Sequence, residues 1–309
     1  MSPEGRLAIA GATGFVGSHL HAALLADGAD VVAIARDAAR AERLLAGGEV
    51  AEASIDSEAE LKSALAGCSH AYFLVHLMAG ENEGYAERER VAAEHFGRAA
   101  TRAGVERVSY LGGLGGHSPH LASRAGAADA LAGTGPPLTY FRAAMIVGPG
   151  SASYELLRSI VSRLPVAPAP AWLDNRTQPI GIRDMTAYLR RSPETAGAAG
   201  REVQLGGPDV LTHREVIDLL AEQMGVGGPR WLPVTNRIAK AEVMAAGAAT
   251  VTRGDPSVAA ELALGLQEET VVTDPSGAAL FDVRPEPIGT VFQRCLTEEE
   301  RLEEAGVGG

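Results

Sequence analysis

Lysine is nearly absent from this chain of 309 residues: of 27 basic side chains, only Lys62 and Lys240 are not arginine. Cysteine is equally scarce. Cys68 and Cys295 stand alone with no metal-ligand spacing, which excludes a disulfide framework and a cysteine zinc site, and two buried thiols in a reducing compartment are expected. No apolar run approaches the roughly 18 residues of a membrane span. No charged leader with an apolar stretch precedes "RLAIAGATG", so a cytoplasmic location is expected. Positive charge is in deficit too. With 39 acids, a net charge of −12 and no basic stripe, nucleic acid and anionic membrane are excluded as partners, which leaves a small-molecule substrate. Nothing in the composition addresses oligomeric state.

What is present is ordinary for a soluble globular chain, with 46% apolar and 21% charged residues. The length suits one large α/β domain, or a domain with a smaller appendage. Strand-like stretches at Leu7–Ala10, Val31–Ala35, Ala71–Val75, Arg107–Leu111 and Leu138–Ile146 alternate with helical ones near 15–27, 57–66 and 83–103. Such alternation predicts a doubly wound parallel sheet, the Rossmann arrangement, over residues 1–150. Residues 151–309 are expected to form a smaller C-terminal substrate-binding or lid region, with 176–225 returning to the sheet. In "LPVAPAPAW" three prolines in six residues forbid regular structure. Thr212-x-x-Glu215 reads as a capping box opening a helix, further helical patches are expected at 236–249 and 256–266, and a last helix follows Pro287.

The strongest signal is "LAIAGATGFVGSHLHAALLADG". Gly11, Gly14 and Gly17 follow an apolar strand and open an amphipathic helix, as a dinucleotide pyrophosphate requires: a tight turn, close backbone approach, and a helix N-terminus facing the phosphates. The next strand ends "VVAIARD", placing Arg36 where a ribose 2′-phosphate needs a cation. NADPH is therefore favoured over NADH. His19 and His21 read as surface residues of the first helix. "HLH" does not give zinc-ligand geometry, and "GPGS" is not a nucleophile elbow, so hydrolase chemistry is excluded.

"GATGFVG", "YFLVH", "RVSYLGGL", "FRAAMIVGPGS", "RTQPIGIRDM" and "LGGPDVLTHRE" occur in this order over about residues 5–225, and together they resemble the atypical, NmrA-like branch of the extended short-chain dehydrogenase/reductases. The resemblance implies that Gly11, Ala12, Thr13, Gly14, Phe15, Val16 and Gly17 hold the pyrophosphate and that Arg36 holds the 2′-phosphate. It places Ser54 and Ile55 at the adenine, Ser54 standing where the family often has Asp. It places Leu74, Val75 and His76 at the adenosine ribose, Leu111, Gly112 and Gly113 at the nicotinamide ribose, and backbone at Ala143, Met145 and Ile146 at the carboxamide. Leu114, Ser118, His120 and Trp172 would face the substrate.

One departure from the superfamily pattern is plain. Its usual Tyr-x-x-x-Lys is missing, because no tyrosine here has lysine four residues later, and Gly112 or Gly113 stands where Ser or Thr is expected. Three readings stay open. His120 could act as the acid with Arg124 beside it. Alternatively, positioned hydride transfer could be assisted by the substrate's own phenol. The third is no chemistry at all, with the protein acting as an NADP(H)-sensing regulator. The bland reading of "HLASR" is a helix start with Arg124 solvated. The first two readings make the chain an NADPH-dependent ketoreductase of secondary metabolism or antibiotic biosynthesis, and its Ala-, Gly- and Arg-rich composition fits a high-GC bacterium. The resemblance implies a largely apolar substrate, such as an aromatic polyketide ketone of angucyclinone type.

Overall fold

The computed structural model describes residues 5–76, 84–115, 119–234, 247 and 265–305; most of the patches expected at 236–249 and 256–266 lie outside these. Two compact units are built from interleaved segments. The first comprises Met1–Arg142, Arg183–Leu205 and Thr273–Val283, and the second Ala143–Ile182, Gly206–Val272 and Arg284–Gly309. The first segment of the first unit ends at Arg142. Residues 183–205 and 273–283 fall in the first unit, where Glu202–Leu205 joins the sheet, while 206–225 fall in the second.

The first unit is α/β. Its strands are β1 (Arg6–Ala10), β2 (Val31–Ala35), β3 (Glu49–Glu52), β4 (Cys68–Phe73), β5 (Arg107–Gly113) and β6 (Leu138–Ala143), whose last residue passes into the second unit. A late strand, Glu202–Leu205, joins beside β6. Taken from that late strand, the order is β6-β5-β4-β1-β2-β3, and β1 pairs in parallel with both β2 and β4. Chain progression reverses between β1 and β4, the switch point at which such sheets bind ligands. "LAIA" and "VVAI" are buried throughout because helices cover both faces, which is why they read as unbroken apolar runs.

The helices of this unit are α1 (Phe15–Ala26), α2 (Ala38–Leu44), α3 (Glu58–Ala64), α4 (Tyr85–Ala103) and α5 (Pro119–Thr134). One face of the sheet packs Phe73, Phe96 of α4, Tyr110 and Leu131 of α5 into a single core. α4 stops at Gly104, whose φ of 81° is the left-handed cap its sequence suggests. Two short elements, β3 and α2, do not stand out in the sequence. Both are too short for periodicity to register, and α2 is started by the Asp37 side chain accepting from the Arg40 N–H at 2.8 Å. His21 is fully buried rather than on the surface, because the Gly47–Gly48 turn lies over α1.

The second unit has short strands at β7 (Ile146–Val147), β8 (Val166–Ala169), β9 (Arg176–Thr177) and β10 (Ile180–Gly181). The late strand of the first unit is β11, and β12 (Leu211–Thr212) and β13 (Arg230–Pro233) complete the set. Helices α6 (Ala152–Arg163), α8 (His213–Gln223) and α9 (Ile288–Glu304) bury Tyr154, Leu157, Ile217, Leu220 and Phe292 together, while α7 (Ile182–Arg191) lies almost wholly in the first unit. The capping box at Thr212 and Glu215 forms as the sequence predicts. The proline segment does not lack structure. β8 pairs in parallel with β13, and the carbonyls of Pro165 and Ala169 accept from Arg230 and Val234. Alternation turns the nitrogen of Pro168 away from that partner, so no ladder bond is lost.

On the other sheet face of the first unit, near the strand N-termini, lies a dry polar chain. His70 Nε2 meets Ser109 Oγ at 3.0 Å, and Ser109 Oγ meets Ser192 Oγ at 2.6 Å. Tyr72 donates to the Leu189 carbonyl, and Arg107 to that of Pro193, so these groups fasten α7 and its exit to the sheet. Burial, with Arg107 adding to it, lowers the His70 pKa to about 3. Above the unfolded value of 6.5 the ring is neutral in both states and stability is complete; as pH falls below 6.5 the unfolded chain takes the proton first, so stability drops until about pH 3. A loss of about 2 kcal/mol between pH 6.5 and 5 is expected from this ring alone. Urea unfolding at both pH values should show a shallower pH slope in His70→Asn. An unchanged slope rejects the assignment.

Candidate cofactor site

β1 delivers the chain into a turn whose three glycines do different work. Gly11 has φ +91°, and a Cβ there would lie 2.5 Å from the Leu74 carbonyl oxygen, so the turn is pressed against the end of β4. A Cβ on Gly17 would lie 2.1 Å from the Gly11 oxygen, so α1 sits directly on the turn. Gly14 differs. Its φ of −78° suits any residue, it is exposed, and a Cβ would meet only the Gly11 oxygen, at 3.3 Å. The fold needs Gly11 and Gly17 but makes no such demand at Gly14. Gly14 is also the N-cap of α1, with no side-chain cap and no acid in the first turn, so among the described residues the helix presents uncovered N–H groups and its positive end. Ala12 is buried beneath, Thr13 is exposed, and Phe15 and Val16 are half-buried. A pyrophosphate fits this arrangement.

Ala10 pairs with Ile34, so Arg36 leaves β2 at the same end of the sheet. Arg36 is exposed, and no carboxylate pairs with it among the described residues. The two acids nearest in sequence and strand order are engaged elsewhere. Asp37 caps α2, and Glu52 accepts from the Ala38 N–H at 3.3 Å. Ser54 forms a local turn, its hydroxyl accepting from the Asp56 N–H, while its own N–H donates to Glu60. Ile55 packs partly on the core.

At the ends of β4 and β5, Leu74 and Leu111 are buried, Val75 rests on the core and His76 is exposed. Gly112 answers why this strand ends without side chains: a Cβ there would lie 2.6 Å from the Tyr140 hydroxyl, so the phenol fills the gap. The carbonyls that follow are held by arginine. Arg142 Nε donates to Gly113 at 3.0 Å and a terminal guanidinium nitrogen donates to Gly115. Arg124 is not solvated. It is 3% exposed, and it donates to the Leu111 carbonyl at 2.9 Å and to His76 Nε2 at 2.5 Å. Leu114 is buried. His120 lies in the first turn of α5, but its side chain and all of Ser118 fall outside the described residues.

None of the tyrosines with a shifted pKa is tuned toward proton donation. Burial raises Tyr72, Tyr110, Tyr140, Tyr154 and Tyr188 above the usual phenol value, where a catalytic tyrosine beside a lysine would be lowered. Ala143, Met145, Ile146 and Trp172 belong to the second unit. There Met145 and Trp172 pack on one apolar cluster, and Trp172 Nε1 is buried without a hydrogen-bond partner among the described residues. Sequence reasoning passed over Asp37, Tyr140 and Arg142; the only signal for Arg142 was its place inside "FRAAMIVGPGS". Among the described residues no group of His, Cys, Asp and Glu could hold a metal, and no helix is long and apolar enough to cross a membrane.

Residues 11–132, which lie in the first unit, match a family model described as NAD(P)H-binding. No curated protein matches the chain. Among solved structures, it is similar to an NADPH-dependent quinone oxidoreductase from Escherichia coli complexed with NADPH. Identity is 20%, coverage 94% of this chain and 99% of that one, and the TM-score 0.71. A Citrobacter triphenylmethane reductase complexed with NADP(H) is 18% identical, with 94% and 99% coverage and a TM-score of 0.72. A Staphylococcus aureus nucleoside-diphosphate-sugar epimerase is 17% identical, with 93% and 99% coverage and a TM-score of 0.71. At these identities the likeness fixes the fold alone.

Proposed function

We propose that the protein is an NADPH-dependent ketoreductase of the atypical short-chain dehydrogenase/reductase type, acting on a small, largely apolar ketone. The observation that carries this reading is Gly14, bare and exposed at an uncapped helix N-terminus although the fold itself does not demand a glycine. Residues 11–17 would hold the pyrophosphate. Ser54, Ile55, Leu74, Val75 and His76 would flank the adenosine half, and Leu111–Gly113 the nicotinamide half. The bound cofactor supplies the hydride, and the chain's part is to orient it and exclude water. The upward-shifted tyrosines and the internally engaged Arg124 support reduction in which the substrate's own phenol steadies the developing alkoxide, with His120 the weaker candidate acid. The indole N–H of Trp172, without a partner among the described residues, supports an oxygen-bearing aromatic substrate. An angucyclinone ketone like that of simocyclinone biosynthesis is the narrowest form of this reading and rests on resemblance.

The test is loss of NADPH absorbance with a panel of aromatic ketones. Turnover supports the reading. Tight NADPH binding with no ketone reduced, and a protein partner retained, would instead make the chain an NADP(H)-sensing regulator.

Arg36 gives a second expectation. Arg36→Ala should weaken NADPH by about 1.5–3 kcal/mol, the worth of a hydrogen bond to a charged group, and leave NADH unchanged. Calorimetric titration with both cofactors decides it, and equal losses would reject the assignment.

A further inference from the structure

Arginine is a donor at every nitrogen and has no acceptor. The 2.5 Å contact between an Arg124 guanidinium nitrogen and His76 Nε2 therefore requires a bare lone pair on Nε2. The neutral ring must then carry its proton on Nδ1. Arg124 is itself immobilised, buried in α5 and donating to the Leu111 carbonyl at the end of β5. His76 is exposed, two residues beyond Leu74, whose carbonyl abuts Gly11. The exposed ring thus stands at the end of β4, between the glycine turn on β1 and the end of β5.

We infer that Arg124 is a positioning residue that locks His76 in the Nδ1–H tautomer, and that this N–H donates to a ribose hydroxyl of the dinucleotide. Arg124 turns these donors to Leu111 and His76, so the exposed imidazole rather than the guanidinium is the group presented to a ribose. The inference rests on the NADPH reading above for its ligand, though not for its tautomer.

The first measurement needs no cofactor. Long-range proton–nitrogen NMR of the full chain labelled at histidine, with the His76 signal identified by its loss in His76→Asn, should show Nδ1 protonated and Nε2 bare at neutral pH. In Arg124→Met the two tautomers should mix. A proton on Nε2 in the wild type, or an unaltered ring signal in a folded Arg124→Met, overturns the lock.

The second measurement compares two conservative variants by NADPH fluorescence titration. The amide of His76→Asn takes the place of Nδ1–H, whereas that of His76→Gln takes the place of Nε2 and keeps only the Arg124 contact. NADPH affinity should fall roughly tenfold in His76→Gln and stay within about threefold in His76→Asn, the difference expected for one hydrogen bond. The reverse order, or no loss in either, overturns the donor role and makes the pair purely structural. Both variants alter an exposed side chain, so folding does not obscure the result should Arg124→Met fail to fold. A wild type that binds NADPH but reduces no ketone defeats the ketoreductase reading and leaves this one standing. A wild type that does not bind NADPH removes the donor role as well.

Discussion

Gly14→Val is expected to abolish NADPH binding, with Kd rising at least about a hundredfold, or about 2.7 kcal/mol, while circular dichroism and melting stay close to wild type. The backbone of Gly14 is extended, with φ −78° and ψ 170°, a region in which valine is comfortable. The new Cβ would meet one protein atom, the Gly11 oxygen at 3.3 Å, a tight contact that asks for a shift of a few tenths of an ångström and far less than the clash at Gly17. The methyl groups would instead occupy the space in front of the α1 N-terminus, where phosphate oxygens need the backbone N–H groups. Gly17→Val is the counterpart. With 2.1 Å between its Cβ and the Gly11 oxygen, α1 must move off the turn, and a loss of stability is expected together with the loss of binding. If the two variants behave alike, either both folded or both collapsed, the separation of roles among these glycines is wrong.

A comparably large effect is expected from the substrate side. For a ketone with a neighbouring phenol, conversion of that phenol to its methyl ether should lower kcat by about 10²- to 10⁴-fold, the contribution usual for a general acid, with much less change in binding. His120→Ala should stay within about tenfold of wild type, because cofactor placement and hydride transfer survive. The reasoning lies in what the protein withholds. Burial makes its buried phenols weaker acids, and the cation nearest the expected lysine place is already pledged to Leu111 and His76. A large kcat loss in His120→Ala, with NADPH affinity intact and the methyl ether still reduced, would return the role to His120.

The sheet was legible because its strands are buried on both faces and therefore read as apolar runs. The glycine turn was legible because two of its three glycines are demanded by close contacts that leave a fixed spacing. β8 was not, since three prolines suggest disruption until one knows which way each nitrogen points. His21 was misplaced for a related reason: only the path of the Gly47–Gly48 turn buries it, and that path has no local signature. Gly112 is the more instructive case. A bare strand end suggests room for a ligand, and the room is taken by Tyr140, a side chain from the neighbouring strand. One open reading left Arg124 solvated, because its partners, Leu111 and His76, are not its sequence neighbours.

The interleaving of the two units has a consequence for synthesis. When Arg142 leaves the ribosome, the first unit still lacks its outermost strand, α7 and the turn carrying Phe281. Phe141 ends up fully buried against Phe281, their rings 5.5 Å apart, and Tyr188 closes on the same ring at 5.6 Å. At about 5–20 residues per second, roughly 7 to 28 seconds pass before Phe281 emerges. During that interval the nascent chain exposes an open β6 edge and an uncovered aromatic, the features that recruit chaperones or a second nascent copy. Production of this protein should therefore depend on translation speed and temperature more than its finished stability suggests.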